Sequence, residues 1–143
     1  MATRRVAMVA VVIDTDVVSF LFKRDSRANL YREYLADKIL IVSFMTIAEL
    51  DRWAIERKWG QAKKDNMEEH LRKFVIYPFN RVLCLEWAKL SDLARRKGRP
   101  IQCADAWIAA TASLYDIPLV THNYSHYSGI DNLKVVFRSN SPL

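Results

Sequence analysis

Apolar residues fall into two kinds of block along the chain. Five are short and rich in branched aliphatics: residues 6–13, 39–43, 75–77, 119–121 and 134–137. Runs of this kind suit strands of a parallel sheet covered on both faces. Between them lie longer stretches with helical spacing. Residues 17–23 follow the polar break Asp14-Thr15-Asp16, and residues 26–37 place Leu30 and Tyr34 on one face. In residues 45–58, Ile47, Leu50 and Ala54 form one buried stripe, ended by Gly60. Residues 61–74 read as a charged helix. Pro78 stops the strand before it, and Asn80 caps a helix running to about Lys97. Residues 102–115 form an alanine-rich helix that can pack closely on its neighbours, and Asp116-Ile117-Pro118 turns the chain into the next strand. Strands alternating with helices predict an α/β domain with a parallel sheet and helices on both faces.

The length of 143 residues favours one domain, spanning 1–143, and three glycines with four prolines leave no flexible linker. Arg4 and Arg5 ahead of the apolar run 6–13 superficially resemble a secretion signal. The run ends in acids rather than a small-residue cleavage site and is too short to span a membrane. We read it as a buried strand of a cytoplasmic protein with no membrane partner. Cys84 and Cys103 form neither a disulfide framework nor a zinc site by themselves. Reduced thiols are the default, with a single disulfide left open. The net charge of +6 fits either a plain basic surface or a polyanion partner, of which nucleic acid is the commonest.

Four carboxylates stand out by position. Asp14 and Asp16 follow the first buried strand, at the strand end where open α/β sheets gather ligands. Glu49 and Asp105 lie in the first turns of two helices. Each alone could be a helix-capping or helix-dipole acid. Together the fold brings strand ends and helix starts to one edge, and converging carboxylates repel one another unless a cation neutralises them. An all-oxygen donor set selects Mg²⁺ or Mn²⁺, and such a site suits phosphodiester hydrolysis.

These residues carry a family resemblance. Val12-Ile13-Asp14-Thr15-Asp16, Ser43 to Leu50, Asp105 to Ala112 and Leu119-Val120-Thr121-His122-Asn123 resemble the successive motifs of the PIN domain, and most of all the VapC toxins of bacterial VapBC pairs. The resemblance implies a three-layer α/β/α sandwich with a mainly parallel central sheet. It implies a Mg²⁺- or Mn²⁺-dependent endoribonuclease acting on RNA, a homodimer, and inhibition by a VapB-like antitoxin. Asp14, Glu49 and Asp105 fall on the family's catalytic, metal-holding acids. Thr15 and Thr121 fall on positions that support them, with Asp16 nearby.

The chain departs from the pattern once. Residues 121–127, Thr-His-Asn-Tyr-Ser-His-Tyr, lack the further acid expected there, and Asn123 or His126 takes its place. That puts a second metal in doubt. Arg95, Arg96, Lys97 and Arg99 crowd a helix end, either as a solvated terminus or as a surface that meets RNA. His122 and His126 read as polar loop residues or RNA contacts, and His70 as solvated. The four tryptophans read as core or subunit packing. Two other functions fit parts of the sequence. The Asp14-x-Asp16 opening also resembles haloacid-dehalogenase-type phosphatases, which need a later lysine and acid pair. A weakened PIN-like RNA-binding or scaffolding domain would explain the missing acid.

Overall fold

The computed structural model describes residues 9–140; the first part of the expected strand 6–13 lies outside them. In chain order the elements are β1 (Ala10–Ile13), α1 (Thr15–Lys23), α2 (Asn29–Leu35), β2 (Ile39–Ser43), α3 (Phe44–Glu56), α4 (Gln61–Leu71), β3 (Val75–Tyr77), α5 (Arg81–Arg96), α6 (Cys103–Leu114), β4 (Leu119–Val120) and β5 (Val135–Val136). All five strands are parallel, in the order β3-β2-β1-β4-β5. This is the expected α/β/α sandwich.

Alternation along β1 builds both cores. Val11 and Ile13 face the layer made by α1 to α4, where Val17, Val18, Tyr31, Leu50, Met67 and Leu71 are buried. Val12 faces the other layer, where Leu83 and Leu90 of α5 meet Ala106, Ile108, Ala109 and Ala110 of α6. Each fully buried aliphatic of β1 contributes roughly 1.5–3 kcal/mol through burial. The alanines let α6 lie close against β1. Ser43 caps α3 by accepting from the Met45 N–H at 3.0 Å, and Asn80 caps α5 by accepting from the Leu83 N–H at 2.8 Å.

Two helices differ from expectation. The stretch 26–37 opens as a 3-10 turn at Ser26–Ala28, because Asp25 accepts from the Arg27 N–H, and α2 ends at Leu35, just before the left-handed Asp37. The helix expected over 61–74 ends at Leu71. His70, expected in solvent, packs between Phe22 and Phe74, and its Nε2 is buried without a partner. Cys84 and Cys103 are both free thiols. Among the described residues no helix is long and apolar enough to cross a membrane.

Candidate active site

From β1 the chain passes to β2 and β3 on one side, then crosses back to β4 and β5 on the other. The strand order therefore reverses between β1 and β4. Such a reversal opens a crevice beyond the carboxyl ends of the strands, where ligands of α/β folds bind. Asp14 follows β1 and Thr121 follows β4, one on each side of that crevice.

Asp14 is 5% exposed and is held from three directions. Its Oδ1 accepts from the Thr15 N–H at 2.7 Å, which also caps α1. Its Oδ2 accepts from the Thr121 hydroxyl at 2.7 Å and from the Tyr127 hydroxyl at 2.8 Å. The Thr15 hydroxyl donates to Glu49 Oε1 at 2.8 Å and lies 2.9 Å from the Thr46 hydroxyl. A hydroxyl has one proton, so Thr46 donates to Thr15 and the relay ends on Glu49. Asp105, in the first turn of α6, lies across the crevice. His126 Nδ1 is 3.3 Å from its Oδ2, and the Tyr127 hydroxyl is 3.5 Å from its Oδ1. Asp16 accepts from the backbone N–H groups of Val17 and His122, at 2.7 and 3.0 Å, and so ties the loop after β4 to the start of α1.

The electrostatics record a shortage of positive charge. Burial, then repulsion from Asp14, raises the carboxyl of Asp16 to about 7. Burial raises Glu49 and Asp105 as well, with the Asp14 charge adding to both, while the Thr15 hydroxyl draws Glu49 back and His126 draws Asp105 back. Among the described residues no lysine or arginine comes within ion-pair distance of any of the four acids. Nor do three His, Cys, Asp or Glu side chains stand in a ready-made metal cage among them. Hydroxyls lie between the acids instead, as expected where like charges face each other without a cation. The donor set is oxygen throughout and short of charge, which fits a hard divalent cation.

The structure thus brings together Asp14, Thr15, Asp16, Glu49, Asp105, Thr121 and His126. Asn123 joins through its backbone N–H, which donates to the Thr121 hydroxyl at 3.1 Å. Of the two positions expected to stand in for the missing acid, His126 is the one whose side chain reaches an acid, and its neighbour Tyr127 reaches two. His122 is no free loop residue: its Nδ1 lies 2.6 Å from the Tyr31 hydroxyl, among the rings of Phe20, Tyr31 and Phe137. The basic run lies outside the site's hydrogen bonds. Arg95 and Arg96 pair with Asp92, and Lys97 with Asp131. The turn that carries Arg99 nevertheless packs on the site loop, for a Cβ on Gly129 would come within 2.2 Å of the Arg99 carbonyl oxygen.

Sequence reasoning missed Thr46 and Tyr127. Thr46 had one signal, its place three residues before Glu49 on the same helix face. Tyr127 had none beyond its hydroxyl, because its ring also belongs to the core under α5 and α6. The phosphatase alternative lacks its later lysine and acid pair: β4 runs into Thr121, His122 and Asn123, and Asp14 is tied by three donors.

Comparison with known proteins bears on the family and the fold. The sequence profile of the PIN domain matches residues 11–128. The chain is 29% identical over 133 residues to Ribonuclease VapC1 of Haemophilus influenzae strain R2866, covering 86% of this chain and 93% of that protein. Among solved structures, VapBC-1 from nontypeable Haemophilus influenzae superposes with a TM-score of 0.75 at 25% identity, covering 90% of this chain and 97% of the other. VapBC2 from Rickettsia felis, bound to a DNA fragment from its promoter, gives a TM-score of 0.80 at 21% identity, covering 91% and 99%.

Proposed function

Because the chain belongs to the PIN-domain family, we propose that it is a metal-dependent endoribonuclease, the toxin of a VapBC-type toxin–antitoxin pair acting in the cytoplasm. The observation that carries this reading is the joining of Asp14 to Glu49 through Thr15 and to Asp105 through Tyr127 at the β1/β4 crevice, with no lysine or arginine among the described residues paired to Asp14 or Glu49. These three would hold Mg²⁺ or Mn²⁺, which would polarise the scissile phosphodiester and acidify a water. Thr121 and the Thr15 N–H fix the Asp14 carboxylate, and the Thr46–Thr15 relay fixes Glu49. Asp16 closes the loop over α1 and keeps Thr121 in place.

Arg95, Arg96, Lys97 and Arg99 would attract the RNA backbone toward the loop that the Arg99 turn packs against, as phosphate neutralisation favours. The solved neighbours include VapBC2 of Rickettsia felis and VapBC-1 of Haemophilus influenzae, which supports a VapB-like antitoxin as partner. A homodimer is supported by the exposed apolar surface of edge strand β3 and α5, where Val75, Ile76, Phe79, Val82 and Leu85 face outward.

The test is cleavage of single-stranded RNA by the purified chain with Mg²⁺ or Mn²⁺. Wild type should cut, EDTA should stop it, and Asp14→Asn should lower the rate by about 100-fold or more with the fold intact. Cleavage that survives both EDTA and Asp14→Asn sinks the reading. Binding without cleavage would assign an inert RNA-binding domain.

A further inference from the structure

The loop that lacks the family's fourth acid instead delivers two neutral or weakly basic groups to Asp105. His126 and Tyr127 are consecutive residues of the 3-10 turn Tyr124–Tyr127. Successive side chains of such a turn point about 120° apart. Here they straddle one carboxylate: His126 Nδ1 stands 3.3 Å from Asp105 Oδ2, and the Tyr127 hydroxyl 3.5 Å from Asp105 Oδ1. The same hydroxyl donates to Asp14 Oδ2 at 2.8 Å. We propose that Tyr127 is a positioning residue, whose hydroxyl sets the spacing and orientation of Asp14 and Asp105 for the metal. The proposal rests on the metal-dependent nuclease reading above.

Three observations carry it. Tyr127 is 2% exposed and its ring is wedged into the core shared by α5, α6 and β4, so the hydroxyl cannot wander. Asp14 and Asp105 come from different layers of the sandwich, after the central strand β1 and at the start of α6, and among the described residues no backbone hydrogen bond links their two elements. Among the described residues Tyr127 is also the one side chain that reaches both acids: Thr121 touches Asp14 alone, and His126 touches Asp105 alone. A ligand carboxylate released from the group that orients it typically costs 10–100-fold in metal affinity or rate. The loop therefore replaces an added charge with better placement of the charges already present.

Tyr127→Phe removes one oxygen and keeps the ring. Three quantities should be measured on it beside wild type: thermal melting without metal, Mn²⁺ affinity by calorimetry on the metal-free protein, and kcat and KM for single-stranded RNA. We expect melting within a few degrees of wild type, Mn²⁺ affinity weaker by about tenfold, and kcat lower by about 10–100-fold with KM unchanged. Mn²⁺ affinity within about twofold of wild type overturns the proposal, as does a loss of affinity that merely tracks a fall in melting temperature. If wild type binds Mn²⁺ and cuts no RNA, the nuclease reading fails while the Mn²⁺ comparison still decides the role of Tyr127.

Discussion

Asp14 and Asp105 lie on opposite sides of one crevice and are held in different ways. On the β1 side, Asp14, Thr15 and Thr46 are buried, as is Thr121, which reaches Asp14 from the end of β4, and every hydroxyl among them is spent on a neighbour. On the α6 side, Asp105 is more exposed than Asp14, with a side chain 16% exposed, and one of its two partners, His126, has a side chain 49% exposed. The first side is rigid and overloaded with negative charge, whereas the second is open and lightly tethered. The difference separates two tasks. A buried carboxylate with three donors has one orientation to offer a cation, so the β1 side sets geometry. An acid at the mouth of the crevice can adjust as substrate and ion arrive, so the α6 side admits change.

Asp16 should show the largest effect, because it adds a second, partly buried carboxyl to the crowded side. Its carboxyl is raised from 3.8 to about 7 by burial and by Asp14. A raised acid stabilises the fold in its protonated form. That contribution is complete below the unfolded value and is lost as pH climbs through the folded one. Metal-free wild type should therefore lose stability between pH 4 and pH 7, by up to roughly 4 kcal/mol from this group. Asp16→Asn is neutral throughout and should flatten that part of the slope. Chemical denaturation of both proteins at several pH values checks it. Parallel slopes would mean that neither burial nor the charge of Asp14 raises the Asp16 carboxyl in the folded protein.

Thr121→Val against His126→Ala should divide the two sides next. Valine at 121 removes a buried donor to Asp14 and one acceptor of the Asn123 N–H. We expect a loss of about 1–3 kcal/mol in stability, with RNA cleavage lowered by about 10–100-fold. Alanine at 126 removes a half-exposed contact and should cost stability well under about 1 kcal/mol. Equal destabilisation by the two, read from thermal melts, would erase the distinction between a rigid and an open side.

Much of this was legible in the sequence, for definite reasons. β2 and β3 fall on residues 39–43 and 75–77 as expected, because branched aliphatic runs bounded by polar residues have few other uses. The motif acids are legible because the positions after β1 and at the starts of α3 and α6 follow from the α/β rhythm alone. Tyr127 and Thr46 were not, because their roles depend on which hydroxyl meets which carboxylate across layers. The 3-10 opening before α2 was hidden for the opposite reason: Asp25 competes locally for the Arg27 N–H, and helical periodicity cannot see that competition. His70 misled because its neighbours in sequence are charged, whereas its neighbours in space are Phe22 and Phe74.

The smallest expected effect concerns the open side, where a charge can be added without disturbing the rigid one. His126→Asp would place a carboxylate beside Asp105, at the loop position that faces the acids. Two like charges about 4 Å apart repel by roughly 1 kcal/mol in water and by more where solvent is thinned, so the metal-free variant should melt below wild type. A divalent cation reverses the sign of that interaction, and hard cations prefer a carboxylate oxygen to an imidazole nitrogen. Mn²⁺ should therefore bind the variant several-fold more tightly and raise its melting temperature by more than it raises that of wild type. Asn123→Asp should change neither quantity, because Asn123 joins the site through its backbone N–H and not its side chain. Calorimetric titration and melts with and without Mn²⁺ read both variants. A gain with Asn123→Asp and none with His126→Asp would mean that the loop turns its other face to the metal, and the contact between His126 and Asp105 would lose its place in the site.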